Sequence, residues 1–197
     1  MFRLALGNQA ELRPLEPWQA TEFLDHLDRA RGHIMPWVGR SFSSASDLDA
    51  ARAVLQRYAD SRARDAGDIF GIWHNEVLVG GVMFVSFDAA SGSAEVGCWL
   101  EQGAEGLGLA TAAATELIDW AINTRGLSRI EWQTKADNSR SISVAKRLGM
   151  HLDGTMREAI PDTPRGDLEI WSVLAEEWKA LWSRPAGKAP VEGLHEK

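Results

Sequence analysis

A single cysteine, Cys98, is all the thiol chemistry that 197 residues carry. It cannot close an intramolecular disulfide, so the fold has to stand on its apolar core. Long apolar runs are missing too: none approaches the roughly 20 residues that span a bilayer. Basic residues are in the minority, 21 Lys and Arg against 28 Asp and Glu, for a net charge of -7. That balance repels nucleic-acid phosphate and tolerates cationic partners such as amines. The opening MFRLALGNQAELRP has neither the basic start nor the apolar stretch of a secretion signal. His26, His33, His74, His151 and His195 are scattered without metal-ligand spacing, so no metal is expected. These shortages predict a cytoplasmic protein that enters no membrane, reads no nucleic acid and holds no metal.

What is present is ample core material. Hydrophobic residues make up 45% of the chain, enough for one ordinary domain, expected over residues 1–183. The stretch 184–197 is rich in Pro, Gly and charge and is expected to be a mobile tail.

Along the chain, Ala10 to Leu15 reads as a strand and Trp18 to Ala30 as an amphipathic helix with Phe23, Leu24 and Leu27 on its apolar face. The Gly-, Ser- and Pro-containing loop HIMPWVGRSFSSAS leads to a second helix opened by Asp47. IFGIWH and VLVGGVMFVSFD are β-rich runs joined at Asn75-Glu76, and AEVGCWLE follows as a third consecutive strand. From Gly108 to Thr124, Leu109, Ala113, Leu117, Trp120 and Ala121 recur at helical intervals. RIEWQT is a strand, NSRSISVAKRLGM a short helix closed by Gly149, MHLDGTMREAI and DLEIWSVL are strands, and AEEWKALW is a last helical segment.

The chemistry gathers where the strand EVGCWLE meets the long helix. A helix start exposes backbone N–H groups without intrahelical partners, and the aligned peptide dipoles place partial positive charge there. Gly106 and Gly108 carry no side chain to keep a phosphate from those amides. Taken alone, such a pair of glycines is as readily a turn as a site.

Its setting resembles the GNAT acetyltransferase superfamily. Glu105-Gly106-Leu107-Gly108-Leu109-Ala110 matches that family's diphosphate loop, with Glu105 standing where Gln or Arg is usual. Asn138-Ser139-Arg140-Ser141 matches its Asn-x-x-Ser helix, and Leu148-Gly149-Met150 its closing Leu-Gly-Phe. AEVGCWLEQGAEGLGLATAA, a Leu-Arg-Pro-Leu entry strand, Pro36-Trp37 and Glu177-Trp178 look like the RimJ/RimL branch, over about residues 10 to 182.

The resemblance implies an α+β GNAT (acyl-CoA N-acyltransferase) fold: a mixed, mostly antiparallel sheet flanked by helices and splayed between strands 4 and 5. It implies acetyl-CoA, or another acyl-CoA such as succinyl-CoA, as co-substrate, and direct transfer to a primary amine of a peptide N-terminus or a small molecule. It assigns the acyl-CoA to the main chain of Trp99 and Leu100 and to Gly106, Leu107, Gly108, Leu109, Ala110, Thr111, Asn138, Ser141 and Lys146. Ser141 assists the departing thiolate. The catalytic carboxylate expected nearby is Glu158, with Asp162 beside it, although spacing from Gly154 puts Ile160 at the family's position. Glu105, as an anion at the diphosphate loop, is expected to turn away to solvent. A non-catalytic CoA sensor or interaction protein fits the same motifs, and the chain is expected to be a monomer or homodimer. Cys98 alternates within a strand and reads as packing rather than as an acyl carrier.

Overall fold

The structure, a computed structural model, describes residues 3–7, 9–38, 42, 44–160 and 166–182. The segment 184–197, His195 and Asp162 lie outside the described residues. Among the described residues an eight-stranded sheet has the order β1-β2-β3-β4-β5-β6-β8-β7. Its strands are β1 (Leu4–Gly7), β2 (Ala10–Pro14), β3 (Asp68–His74), β4 (Val77–Asp88), β5 (Ser93–Leu100), β6 (Arg129–Lys135), β7 (His151–Met156) and β8 (Leu168–Leu174). The helices are α1 (Ala20–Ile34), α2 (Leu48–Ala63), α3 (Leu109–Asn123), α4 (Ser139–Arg147) and α5 (Ala175–Trp182).

The sheet is antiparallel except where β5 meets β6. The strand expected to come first is the second. The short β1 precedes it and adds an edge, so the parted pair expected as strands 4 and 5 is β5 and β6. Asn75 and Glu76 join β3 to β4 with φ of 51° and 62°, the consecutive left-handed residues of a primed hairpin turn.

Strand alternation divides the core into two layers. Phe70, Ile72, Val82, Phe84, Val96, Ile130 and Trp132 face α3, α4 and α5, whereas Ile69, Trp73, Met83 and Trp99 face α1 and α2. α1 contributes Phe23, Leu27 and Ile34 to the second layer, each burial worth roughly 1.5–3 kcal/mol. α2 is capped by Asp47, whose carboxylate accepts from the Ala50 N–H at 2.9 Å. Trp99 anchors the end of β5 in the second layer. Its indole meets Phe42 edge-on at 4.8 Å and donates to His26 Nε2 at 3.0 Å, and Gly81 on β4 leaves the room it needs.

β5 and β6 pair over only three positions, Ser93 with Arg129, Ala94 with Ile130 and Glu95 with Glu131. Beyond these the strands part. Trp99 and Leu100 remain paired to Gly81 and Gly80 of β4 on one side, while their other edge is unpaired to β6. The result is a wedge-shaped opening at the C-terminal ends of two parallel strands, each followed by a helix start, the usual place for a ligand in a sheet of this kind.

Candidate active site

At the β5 side of the wedge stands the start of α3. Gly108 is its N-cap, with φ 76° and ψ 2°, and no side chain caps the helix. Gly106 is also left-handed, at φ 79°. A Cβ built on either glycine would meet nothing within 4 Å, so both turn residues face open space. The first intrahelical bond runs from Ala112 N to Gly108 O at 3.0 Å, which leaves the amides of Leu109, Ala110 and Thr111 ahead of it. No acidic residue occupies the first turn. The arrangement suits an anion that can take several amides at once.

Glu105 is exposed, and its carboxylate also has partners. His33 Nε2 lies 2.7 Å and Arg140 Nε 3.6 Å from its Oε1, and 35% of the side chain stays exposed. The carboxylate is thus held by two groups from different elements, the His33 imidazole at the end of α1 and the Arg140 guanidinium at the start of α4. The Arg140 cation offsets part of the repulsion that the carboxylate's position would otherwise impose on a diphosphate. The segment after α1 also reaches the other lip of the wedge, where Lys135 Nζ sits 6.0 Å from the Trp37 ring centroid. Trp37 therefore borders the opening from the α1 side.

α4 begins at the β6 side. Asn138 caps it, its Oδ1 accepting from Ser141 N–H at 3.2 Å. Ser141 Oγ accepts from the indole Nε1 of Trp132 at 2.8 Å. Asn138 and Ser141 therefore stand together at the start of α4, with Asn138 acting as the helix cap. Lys146 lies two turns further on, exposed, with Nζ 5.7 Å from the Trp171 ring centroid. Glu158 follows β7 on an exposed turn with φ 51°. Its N–H donates to Asp167 Oδ1 at 2.8 Å, and the Asp167 carbonyl accepts from Ala136 N at 3.0 Å, so the Glu158 turn is tied to the loop that leads into α4. Ile160 N donates to Gly166 O at 2.8 Å in the same region.

Reading the sequence for motifs passed over Glu95. It stands on the α1 and α2 side of the sheet beside Glu131, at the last paired position before the strands part. Burial and the neighbouring Glu131 carboxylate push its pKa up, the condition of a carboxylate that holds a proton more readily. A charged residue at an inward register of an otherwise apolar strand was the available signal. Burial also pushes the Cys98 thiol up to about 12, which leaves it un-ionised and poorly nucleophilic at neutral pH. Among the described residues no group of three or more His, Cys, Asp or Glu is disposed to hold a metal ion. No described helix is long and apolar enough to cross a membrane.

Comparison with known proteins agrees with this geometry. The chain is 25% identical over 185 residues to a Bacillus subtilis (strain 168) protein provisionally named ribosomal N-acetyltransferase YdaF, covering 91% of this chain and 98% of the relative. It is 29% identical over 157 residues to the ribosomal-protein-serine acetyltransferase of Escherichia coli (strain K12), covering 73% and 88%. Among solved structures, RimL, a ribosomal L7/L12 alpha-N-protein acetyltransferase in complex with coenzyme A, shares the fold with a TM-score of 0.81 at 16% identity, over 88% of this chain and 98% of that one. The family model described as the acetyltransferase (GNAT) domain matches residues 10–151, a span that holds the wedge, the glycine turn and the start of α4. The chain belongs to the GNAT acetyltransferase family and is an N-acetyltransferase by that membership.

Proposed function

We propose that the chain transfers an acetyl group from acetyl-CoA to the α-amino group of a protein N-terminus, by direct attack of the amine on the thioester carbon. The parting of β5 from β6 immediately beside two helix starts, the α3 one with no side-chain cap, carries the reading. One start offers amides to the diphosphate at Gly106 to Thr111; the unpaired edge of Trp99 and Leu100 offers N–H and C=O groups to the pantetheine arm; Ser141 lies at the opposite lip. The partly buried Cys98, its thiol pKa pushed up by desolvation, supports transfer in one displacement rather than through an acyl-cysteine.

As the amine attacks, charge develops on the carbonyl oxygen and then on sulfur. An N–H on the unpaired β5 edge stabilises the first, and the Ser141 hydroxyl hydrogen-bonds the second. A thiolate of pKa near 8.5 asks for little more. An α-amine of pKa near 8 is about a tenth neutral at pH 7, whereas a lysine amine near 10.4 is almost wholly charged, so an N-terminus needs the weaker base. Two carboxylates serve as bases through water: Glu158, on the turn tied to the α4 loop, and Glu95, whose pKa burial and Glu131 push up. The relatives named for ribosomal proteins support a peptide rather than a small amine as acceptor.

Incubation with acetyl-CoA and a panel of N-terminal peptides and polyamines, with free thiol followed, tests the proposal. Faster thiol release with peptides than with polyamines is expected, and acetyl-CoA should outperform succinyl-CoA. CoA binding without turnover of any acceptor or donor overturns the catalytic reading in favour of a sensor.

A further inference from the structure

Ser141 reaches the wedge with its hydroxyl already engaged from one side. The indole Nε1–H of Trp132 lies 2.8 Å from Ser141 Oγ. An indole nitrogen donates and cannot accept, so the serine oxygen is the acceptor here and its own proton must point to another group. Ser143 shows what this helix does with a serine that no indole meets: its hydroxyl turns back and donates to the Ser139 carbonyl at 2.7 Å. The indole occupies one face of Ser141 Oγ, while the Asn138 amide oxygen holds the Ser141 N–H at 3.2 Å.

Trp132 is well placed to act this way. It is 2% exposed, faces the same layer as Trp171, its partner in the β6 to β8 register, and stands one residue beyond Glu131, where β6 leaves β5. Its backbone thus belongs to a wall of the wedge while its ring reaches the start of α4. The charged groups around it are paired elsewhere: Arg140 with Glu105, Lys146 over the Trp171 ring, and Glu169 with the Trp171 indole.

We infer that Trp132 is a positioning residue for acyl transfer, its indole N–H orienting the Ser141 hydroxyl as a hydrogen-bond donor to the departing CoA thiolate. The inference rests on the proposed role of Ser141. No bond to Trp132 forms or breaks in the reaction; the thioester C–S bond breaks, its electron pair stays on sulfur, and the serine proton is shared with it.

The test titrates the thiol of enzyme-bound CoA by the ultraviolet absorbance of its thiolate, with the desulfo-CoA complex subtracted, and needs no acceptor. Ser141→Ala should lower the thiolate fraction at a fixed pH. Trp132→Phe, and replacement of Trp132 by benzothienylalanine, which keeps the bicyclic shape without the N–H, should each lower it about two- to tenfold, the worth of one neutral hydrogen bond. In the Ser141→Ala background the same replacements should change nothing further. In turnover assays they should lower kcat and leave the KM for acetyl-CoA in place. Equal effects of the Trp132 replacements with and without Ser141 overturn the inference, as does an unchanged thiolate fraction in all variants. Those results leave the transferase reading standing, whereas failure of the unaltered protein to bind CoA removes both.

Discussion

Replacing Gly108 by Ala separates a glycine that merely turns the chain from one that admits a ligand. At φ 76° and ψ 2°, Gly108 holds a left-handed conformation that costs an L-residue about 1–2 kcal/mol. The added methyl meets nothing within 4 Å, so no packing penalty joins that cost. For a chain of this size 1 kcal/mol lowers Tm by about 2–4 °C. CoA affinity should suffer more, because the methyl enters the open space through which a diphosphate approaches the α3 amides. Loss of one hydrogen bond to a charged group, about 1.5–3 kcal/mol, weakens Kd by roughly ten- to hundredfold. Gly126 gives a matched control: it has φ 73°, an equally open Cβ position, and lies beyond the opposite end of α3. Gly108→Ala and Gly126→Ala should therefore lose similar Tm in differential scanning calorimetry, while only the first loses CoA affinity in titration calorimetry. Gly108→Asn extends the comparison, since Asn tolerates the left-handed region yet still fills the space. Equal Tm losses with unchanged CoA affinity in both Gly108 variants would refute the diphosphate site.

His26 predicts a pH dependence of stability. Burial pushes its pKa down to about 4 from 6.5, so the unfolded chain binds the proton first on acidification. Its contribution is complete above about pH 6.5 and is lost as pH falls toward 4, about 3 kcal/mol in all. Asp68, raised to about 7 chiefly by burial, opposes this slope, so denaturant unfolding should compare the protein with His26→Gln, which keeps Asp68 and an acceptor for the Trp99 indole. A gap between the two that does not change from pH 7 to 4.5 would count against the buried neutral imidazole. Glu95→Gln should lower the acidic limb of kcat/KM by about 10²-fold or more and Glu158→Gln by less, as pH–rate profiles would show; the reverse order would transfer the base role to Glu158. Arg140→Gln removes one of the two groups beside Glu105 and should raise the Kd for CoA several-fold, with a larger effect at low salt. An equal Kd for the two proteins at low ionic strength would show that the pair does not matter.

Most of the architecture was legible in local patterns. The α3 periodicity, the Asn75-Glu76 hairpin, the Asp47 cap and the Gly149 stop each depend on residues close in sequence, and each stands where the pattern puts it. The short β1 was missed because its LALG run alternates between partly buried and exposed positions and is held as a strand by pairing to β2. The motif order also located the glycine turn and the Asn138 to Ser141 pair, since both follow directly from strands in the chain.

What the residues determined by themselves were the elements, their order and the two helix starts, because turn chemistry, capping and periodicity act over a few residues. The tertiary structure decided which distant groups meet. It brought His33 and Arg140 to Glu105, so a carboxylate that linear electrostatics would set against a diphosphate became a paired one. It ended the β5 to β6 pairing at Glu95 and Glu131, opening the wedge just beyond a pair of neighbouring carboxylates. It also laid the Trp132 indole against Ser141 Oγ. These contacts depend on how separated segments are packed across the sheet, and nothing in the spacing of residues along the chain specifies that distance.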